Sequence, residues 1–241
     1  NDGATEEIDD IILRYKIKKY IKNGTNMGLP FSLNRGFEIA EGAFHTWTSA
    51  DNYMLPEMLE KLYSFLNKNT TIDIVYGRSA VLETWNNKLY TTNQEDISLQ
   101  KSGWKKGEII VPKSRIYRGT IGACFLYRNH VWKELNGYDE KLHGAEDFDF
   151  WIRAVRRFQI GVLPCKEPLY VYRVHSNSIS ATVNGCFSEM RIQILQREIN
   201  KNPTDSELKR ALFRLRFLIL KNNCLLSLKK IAAKIAFWKN K

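Results

Sequence analysis

Short apolar runs alternate with helix-forming segments along most of this chain, and that alternation constrains the fold more than any other feature. AFHTWTSA, ending at Ala50, is aromatic-rich and predicts a buried strand that enters a loop at Asp51 and Asn52. Pro56 opens the next helix, with Met58, Leu59, Leu62 and Leu66 on one face, and IDIVYG at 72–77 is another short strand. Further on, IGACFLY is a strand and VWKEL a short helix closed by Asn136 and Gly137. AEDFDFWIRAVRRF predicts a helix with Phe150, Trp151, Ala154, Val155 and Phe158 inward and Arg153, Arg156 and Arg157 outward. Gly161 to Tyr172 returns as a strand broken at Pro164 and Pro168. Upstream, the turn chemistry of NDGAT precedes Ile8, Ile11, Ile12 and Tyr15 at helical spacing, and a second helix signal runs through Ser32, Leu33, Phe37 and Ala40. The polar stretch from Ser79 to Arg118, with Trp85, Trp104 and the basic run KSGWKKGE, is placed as hairpin and loop material over one sheet edge. Strands and helices interleaved in this way predict an α/β sheet of mixed or mostly parallel order.

A chain of 241 residues suffices for one catalytic-sized domain plus an appendage. No run of eighteen apolar residues occurs, which excludes a bilayer-spanning helix. Cys124, Cys165, Cys186 and Cys224 lie far apart with no CxxC spacing, so a zinc site or disulfide framework is not expected and a reduced, cytoplasmic setting is. The net charge of +11 resides almost wholly in the tail, where Met190 to Lys241 holds thirteen basic residues against three acidic ones. A near-neutral body with a basic tail argues against a nucleic-acid partner, since a body built to grip phosphates would itself be basic.

Three acidic clusters sit where strands end or helices begin: Asp2 in NDGAT, Asp51 in TSADN, and Glu146, Asp147 and Asp149 in GAEDFD. Ligands of open α/β sheets collect beyond the carboxyl ends of strands, so acids at several such ends converge on one cleft. Carboxylates in that setting can hold a divalent cation and leave one acid free for proton transfer. His45, His130 and His143 have no companion ligands at useful spacing and are read as structural.

The order NDGAT, NMGLPFSLNRGFEIAEG, TSADNYMLP, GYDEKLHGAEDFDFWIR and LYVYRVHSNSIS resembles the inverting family 2 glycosyltransferases of GT-A fold, over residues 1–180. The resemblance implies a nucleotide-diphosphate sugar donor such as a UDP-sugar, a saccharide or lipid-linked hydroxyl acceptor, and inverting displacement at the anomeric carbon. It also implies a domain over 1–185 that lacks the family's first strand and helix, followed by a basic helical extension over 186–241.

Matched residue by residue, the base-contacting Asp of the family falls on Asp2 and the metal-binding element on Ser49-Ala50-Asp51-Asn52, with Asp51 as its acid. Ser49 and Ala50 depart from the acidic pattern, which leaves one carboxylate, diphosphate oxygens and water to surround Mg2+ or Mn2+. Asp147 matches the catalytic base and Glu146 its donor-side neighbour; Asp149 is read as structural. His175 matches a histidine facing the metal or diphosphate. Asn34 and Arg35 fall on donor contacts, whereas Leu33 stands where the family often has Arg.

These expectations define a glycosyltransferase for cell-surface polysaccharide or glycolipid synthesis, with a non-catalytic nucleotide-sugar binding module as the alternative. The tail adds apolar residues at helical spacing (Leu212, Leu215, Phe217, Leu220, then Ile231, Ile235, Trp238) among Lys and Arg. Either an anionic membrane surface, here the inner face of the cell membrane, or a packed helical bundle accounts for that pattern.

Overall fold

The computed structural model describes residues 1–4, 8–15, 17–91, 109–119, 121–176, 178 and 184–221. Through them run α1 (Asp9–Arg14), α2 (Leu29–Glu38), β1 (Phe44–His45), β2 (Tyr53–Met54), α3 (Met58–Lys68), β3 (Ile74–Tyr76), β4 (Ser79–Glu83) and β5 (Lys88–Thr91). There follow α4 (Lys113–Ile116), β6 (Phe125–Arg128), α5 (Asn129–Glu134), α6 (Glu146–Ala154), β7 (Ile160–Val162), β8 (Tyr170–Val174), α7 (Asn184–Lys201) and a last helix, α8, over 206–221. The chain divides into two compact units, Asn1–Val183 and Asn184–Lys241. Trp104 with its basic run, and Ile231, Ile235, Trp238 and Cys224, lie outside the described residues.

Both sheets of the first unit are mixed. One has the order β1-β6-β3-β7 and the other β2-β8-β4-β5, with β3/β7 and β4/β8 the parallel pairs. Those two pairs are successive parts of the same two chain segments. Tyr76 sits opposite Val162, Leu163 N–H donates to Tyr76 O, Leu169 N–H donates to Arg78 O, and Ser79 sits opposite Tyr170. Pro164 and Pro168, which cannot donate to a ladder, fall in the loop between β7 and β8 and mark where one sheet gives way to the next.

Helix α3 covers one face of the first sheet because Met58, Leu62, Phe65 and Leu66 recur at helical spacing and are all buried. They pack in one cluster with Ile72, Val75, Cys124, Leu126, Leu169 and Tyr170. Leu59, expected on that face, is half exposed, and Phe65 takes its place. Alternation along β6 sends Leu126 toward α3, while Phe125 and Tyr127 join an aromatic layer with Phe37, Tyr138, Phe150 and Trp151. His45 belongs to that layer. It stacks on Phe37 with centroids 4.8 Å apart, and burial followed by the charge of Lys133 holds its pKa below the ordinary value, so it is a neutral core residue.

Three local expectations change. Lys113–Ile116 is a short helix inside the stretch read as hairpin and loop, of which 79–91 forms the hairpin and 92–108 lies outside the described residues. Helix α6 ends at Ala154, and Phe158 beyond it is only half buried. Arg153 turns inward to a buried partner, Asp149. In the second unit Asp205 begins α8 as its cap, its Oδ1 accepting from the N–H groups of Glu207 and Leu208 at 3.0 Å.

Candidate active site

Register in the second sheet places Asp51 beside His175. Tyr53 pairs with Val171 and Met54 with Tyr170, so the loop before β2 lies against the segment that leaves β8. Asn52 Oδ1 accepts from Arg173 N–H at 2.8 Å, and the hydroxyls of Thr48 and Tyr170 lie 2.8 Å apart, which fixes the loop on both sides. The result is Asp51 Oδ2 at 3.0 Å from His175 Nε2. The other carboxylate oxygen, Asp51 Oδ1, is buried and has no hydrogen-bond partner among the described residues. An orphaned anionic oxygen is costly unless something cationic or protic reaches it. Asp51 Oδ1, with His175 beside the same carboxylate, is the atom that could take part in holding a divalent cation here. Among the described residues no group of three or more His, Cys, Asp or Glu side chains gathers as a ready-made metal cage.

Glu146 and Asp147 occupy the first turn of α6, where the helix dipole favours negative charge. Glu146 is 4% exposed and its Oε2 accepts from Gly144 N–H at 2.6 Å; Asp147 is half buried, with Oδ1 accepting from Phe148 N–H. Burial, and then the charge of Asp147, push Glu146 from the ordinary 4.5 up to about 7. The pair is therefore split into an acid that holds its proton near neutrality and a neighbour closer to solvent.

The folded state binds that proton more tightly than the unfolded chain does, so stability contributed by Glu146 is complete below pH 4.5 and is lost as pH rises through about 7. The span corresponds to about 3 kcal/mol. Glu146→Gln is expected to flatten this part of the stability profile, read by urea denaturation from pH 4.5 to 8. A profile unchanged by the substitution would assign the pH dependence elsewhere.

Asp2 anchors a loop. Its Oδ1 accepts from Asn23 Nδ2 at 2.9 Å and Met27 N–H at 2.7 Å, and its Oδ2 accepts from Gly28 N–H at 2.8 Å. Desolvation raises its pKa, but the bonds from Asn23, Met27 and Gly28 outweigh that and hold it below the ordinary value. Arg35 joins the same network by donating to Asn23 Oδ1. Gly28 has φ +90°, and a Cβ there would collide with the ring of His143, so only glycine lets this loop close on the segment that leads into Glu146 and Asp147.

Asn34 faces the same segment from α2. Its amide donates to Tyr138 O at 2.9 Å and Glu140 Oε1 at 3.0 Å, and its Oδ1 accepts from Tyr138 N–H at 2.8 Å. Gly137, with φ +71°, allows the close approach, because a Cβ would strike Asn34 Oδ1. The sequence-derived candidates thus fall into four sets: Asp51 with His175, Glu146 with Asp147, Asp2 with Arg35 through Asn23, and Asn34 on the 138–140 turn.

Sequence reasoning missed the residues that connect these sets. Tyr138 is the main one. Its hydroxyl accepts from Trp47 Nε1 at 3.1 Å, on the segment that runs from β1 to Asp51. Its pKa is raised chiefly by burial, with the charges of Asp147 and Glu146 adding to the rise, so the same hydroxyl senses both acids. The Tyr in GYDE was visible as part of a motif, but nothing in its spacing announced a link to Trp47. A cavity of about 430 Å³ lined by Asn1, Lys18, Lys19, Tyr20, Gly36 and Glu41 includes none of the candidate residues.

Known proteins share the family and the fold. The sequence profile described as "Glycosyltransferase like family 2" matches residues 1–195. An uncharacterised glycosyltransferase of Methanocaldococcus jannaschii is 28% identical over 174 residues, covering 70% of this chain and 56% of its own length. One from Haemophilus influenzae is 27% identical over 216 residues, covering 83% and 62%. One from Rickettsia typhi is 25% identical over 158 residues, covering 65% and 48%, so the chain spans about half the length of the curated relatives it matches. Among solved structures, S. aureus TarS 1–349 in complex with UDP-GlcNAc superposes with a TM-score of 0.66 at 20% identity, over 89% of this chain and 60% of that one. That superposition shows a shared GT-A fold. Together with the profile match over most of its length, it places the assignment beyond the motifs alone: the chain belongs to the family 2-like glycosyltransferases.

Proposed function

We propose that this chain is the catalytic part of an inverting glycosyltransferase that moves a sugar from a nucleotide-diphosphate donor to a hydroxyl acceptor, a saccharide or a lipid-linked one, in cell-surface polysaccharide or glycolipid synthesis. The single observation that carries the reading is the Asp51 carboxylate, which presents one oxygen to His175 and leaves the other buried with no partner among the described residues. TarS structures with UDP-GlcNAc and with UDP support a UDP-sugar as donor.

Asp51 and His175 would hold Mg2+ or Mn2+, and the ion would supply charge neutralisation to the departing diphosphate. Asp147 accepts the acceptor's hydroxyl proton as the oxygen attacks the anomeric carbon, since an alcohol is a poor nucleophile until that proton leaves. Glu146, retaining its own proton, avoids placing a second negative charge beside the base and the approaching diphosphate. Asp2 and Arg35 shape the nucleotide side of the cleft through the 23–28 loop, and Asn34 holds the 138–140 turn that supports the acids.

Thermal shift with UDP-, GDP- and dTDP-sugars plus Mn2+, followed by transfer of radiolabelled sugar from the best donor, tests the reading. Stabilisation by one nucleotide class together with transfer or donor hydrolysis is the expected result. Binding with no turnover on any acceptor would favour the binding-module alternative, and no shift with any donor would overturn both. Asp51→Ala should remove the Mn2+-dependent part of donor affinity, by at least the roughly 10–100-fold that loss of a supporting metal-site group costs. Titrations with and without EDTA read this directly; affinity that never depended on metal would remove the cation from the site.

A further inference from the structure

Helix α8 has two apolar faces, and only one of them is inside. At 3.6 residues per turn, Leu208, Ala211, Leu212, Leu215 and Ile219 share one side, and all are buried or half buried. Phe213, Phe217 and Leu220 gather on the opposite side within an arc of about 60°. They are 71%, 58% and 68% exposed. Cations flank this outer stripe on both sides, Lys209 and Arg216 along one edge and Arg210, Arg214 and Lys221 along the other, and all five are exposed. Glu207 is the sole acid between residues 206 and 221. Among the described residues none of the five cations makes an ion pair, although Arg210 donates to the Ser206 hydroxyl at 2.9 Å. Asp205 caps the first turn of the helix, its Oδ1 accepting from the N–H groups of Glu207 and Leu208.

We propose that the outer face of α8 is a docking surface for an anionic lipid bilayer. An apolar stripe bordered by Lys and Arg matches the boundary between acyl chains and phosphate headgroups, where the Phe and Leu side chains enter the hydrocarbon edge and the basic side chains extend sideways to the phosphates. Charge complementarity selects this occupant over a second copy of the chain, because pairing two such stripes would bring ten cations together around one apolar seam. A nucleic acid would satisfy the cations but leave the exposed Phe–Phe–Leu stripe at the centre of the contact without a function. The inference is independent of the transfer chemistry and does not need it.

The test is sedimentation of the whole protein with phosphatidylcholine vesicles and with mixed phosphatidylcholine–phosphatidylglycerol vesicles, in parallel with its oligomeric state in solution. Binding to the mixed vesicles alone, weakening with added salt, is expected. Each cation near such a surface contributes about fivefold, so Arg210→Gln with Arg214→Gln should weaken partition about 25-fold. Phe213→Ser with Phe217→Ser should weaken it at least as much, while circular dichroism and thermal unfolding stay at wild-type values because both positions are solvent-exposed. Four outcomes overturn the proposal: no binding to mixed vesicles, equal binding to both vesicle types, binding that survives both double variants, or a dimer that Phe213→Ser with Phe217→Ser dissociates.

Discussion

Asp147→Asn is expected to lower turnover by roughly 10²–10⁴-fold, the usual contribution of a positioned general base, while donor affinity stays near that of the wild type. The amide is isosteric with the carboxylate and its oxygen can still accept from Phe148 N–H, so the first turn of α6 keeps its shape. What is lost is the capacity to take a proton. An interaction made only as the acceptor oxygen loses its hydrogen lowers kcat and kcat/KM together and leaves ground-state donor binding alone. Single-turnover rates at saturating acceptor, set beside donor titrations, separate the two effects. Asp147→Asn with wild-type turnover would remove Asp147 from this role. Glu146 would then be the poorer substitute, since it keeps its proton to about pH 7.

The fold was legible where spacing and burial coincide. Met58, Leu62 and Leu66 announced α3 because a single buried face imposes its period on the sequence, and IDIVYG announced β3 because a strand buried on both faces reads as a short apolar run. Pro164 and Pro168 announced the interruption between β7 and β8, but not that the interruption joins two sheets, since that depends on which distant strands pair. Leu59 and Arg153 show the limit of reading a helix by its wheel. Leu59 sits near the edge of the α3 stripe, where the neighbouring layer decides its fate. Arg153 was assigned to solvent by charge alone, and its true environment follows from an acid one turn earlier and two backbone carbonyls eighteen and sixteen residues away. The candidate acids were visible as motifs. Their supports were not, because Tyr138, Asn34 and Gly137 act through contacts that span about a hundred residues or depend on a positive φ.

Arg153→Met is expected to destabilise the first unit by about 3–5 kcal/mol, the usual cost of breaking a buried ion pair by removing one member. Asp149 is fully buried, and Arg153 Nε donates to its Oδ2 at 2.7 Å. The rest of the guanidinium is used as well: Nη1 donates to Leu135 O at 2.7 Å and Nη2 to Gly137 O at 2.8 Å, with the Phe150 ring 5.6 Å below. One side chain therefore joins α6 to the end of α5 and the 135–138 turn, the same turn that Asn34 holds from the other side. In a domain of this size the loss corresponds to a fall in Tm of roughly 6–20 °C. Replacing both charges, Asp149→Leu with Arg153→Met, should recover much of that loss, since an apolar pair of similar volume carries no desolvation cost. The two carbonyls would still lack their donor, so recovery stops short of wild type. Transfer activity of the double variant then separates two roles. Stability restored with turnover still depressed would show that Arg153 aligns the turn beneath Tyr138 and the acid pair, whereas a single Arg153→Met variant with unchanged unfolding would show that the buried ion pair contributes nothing to the fold.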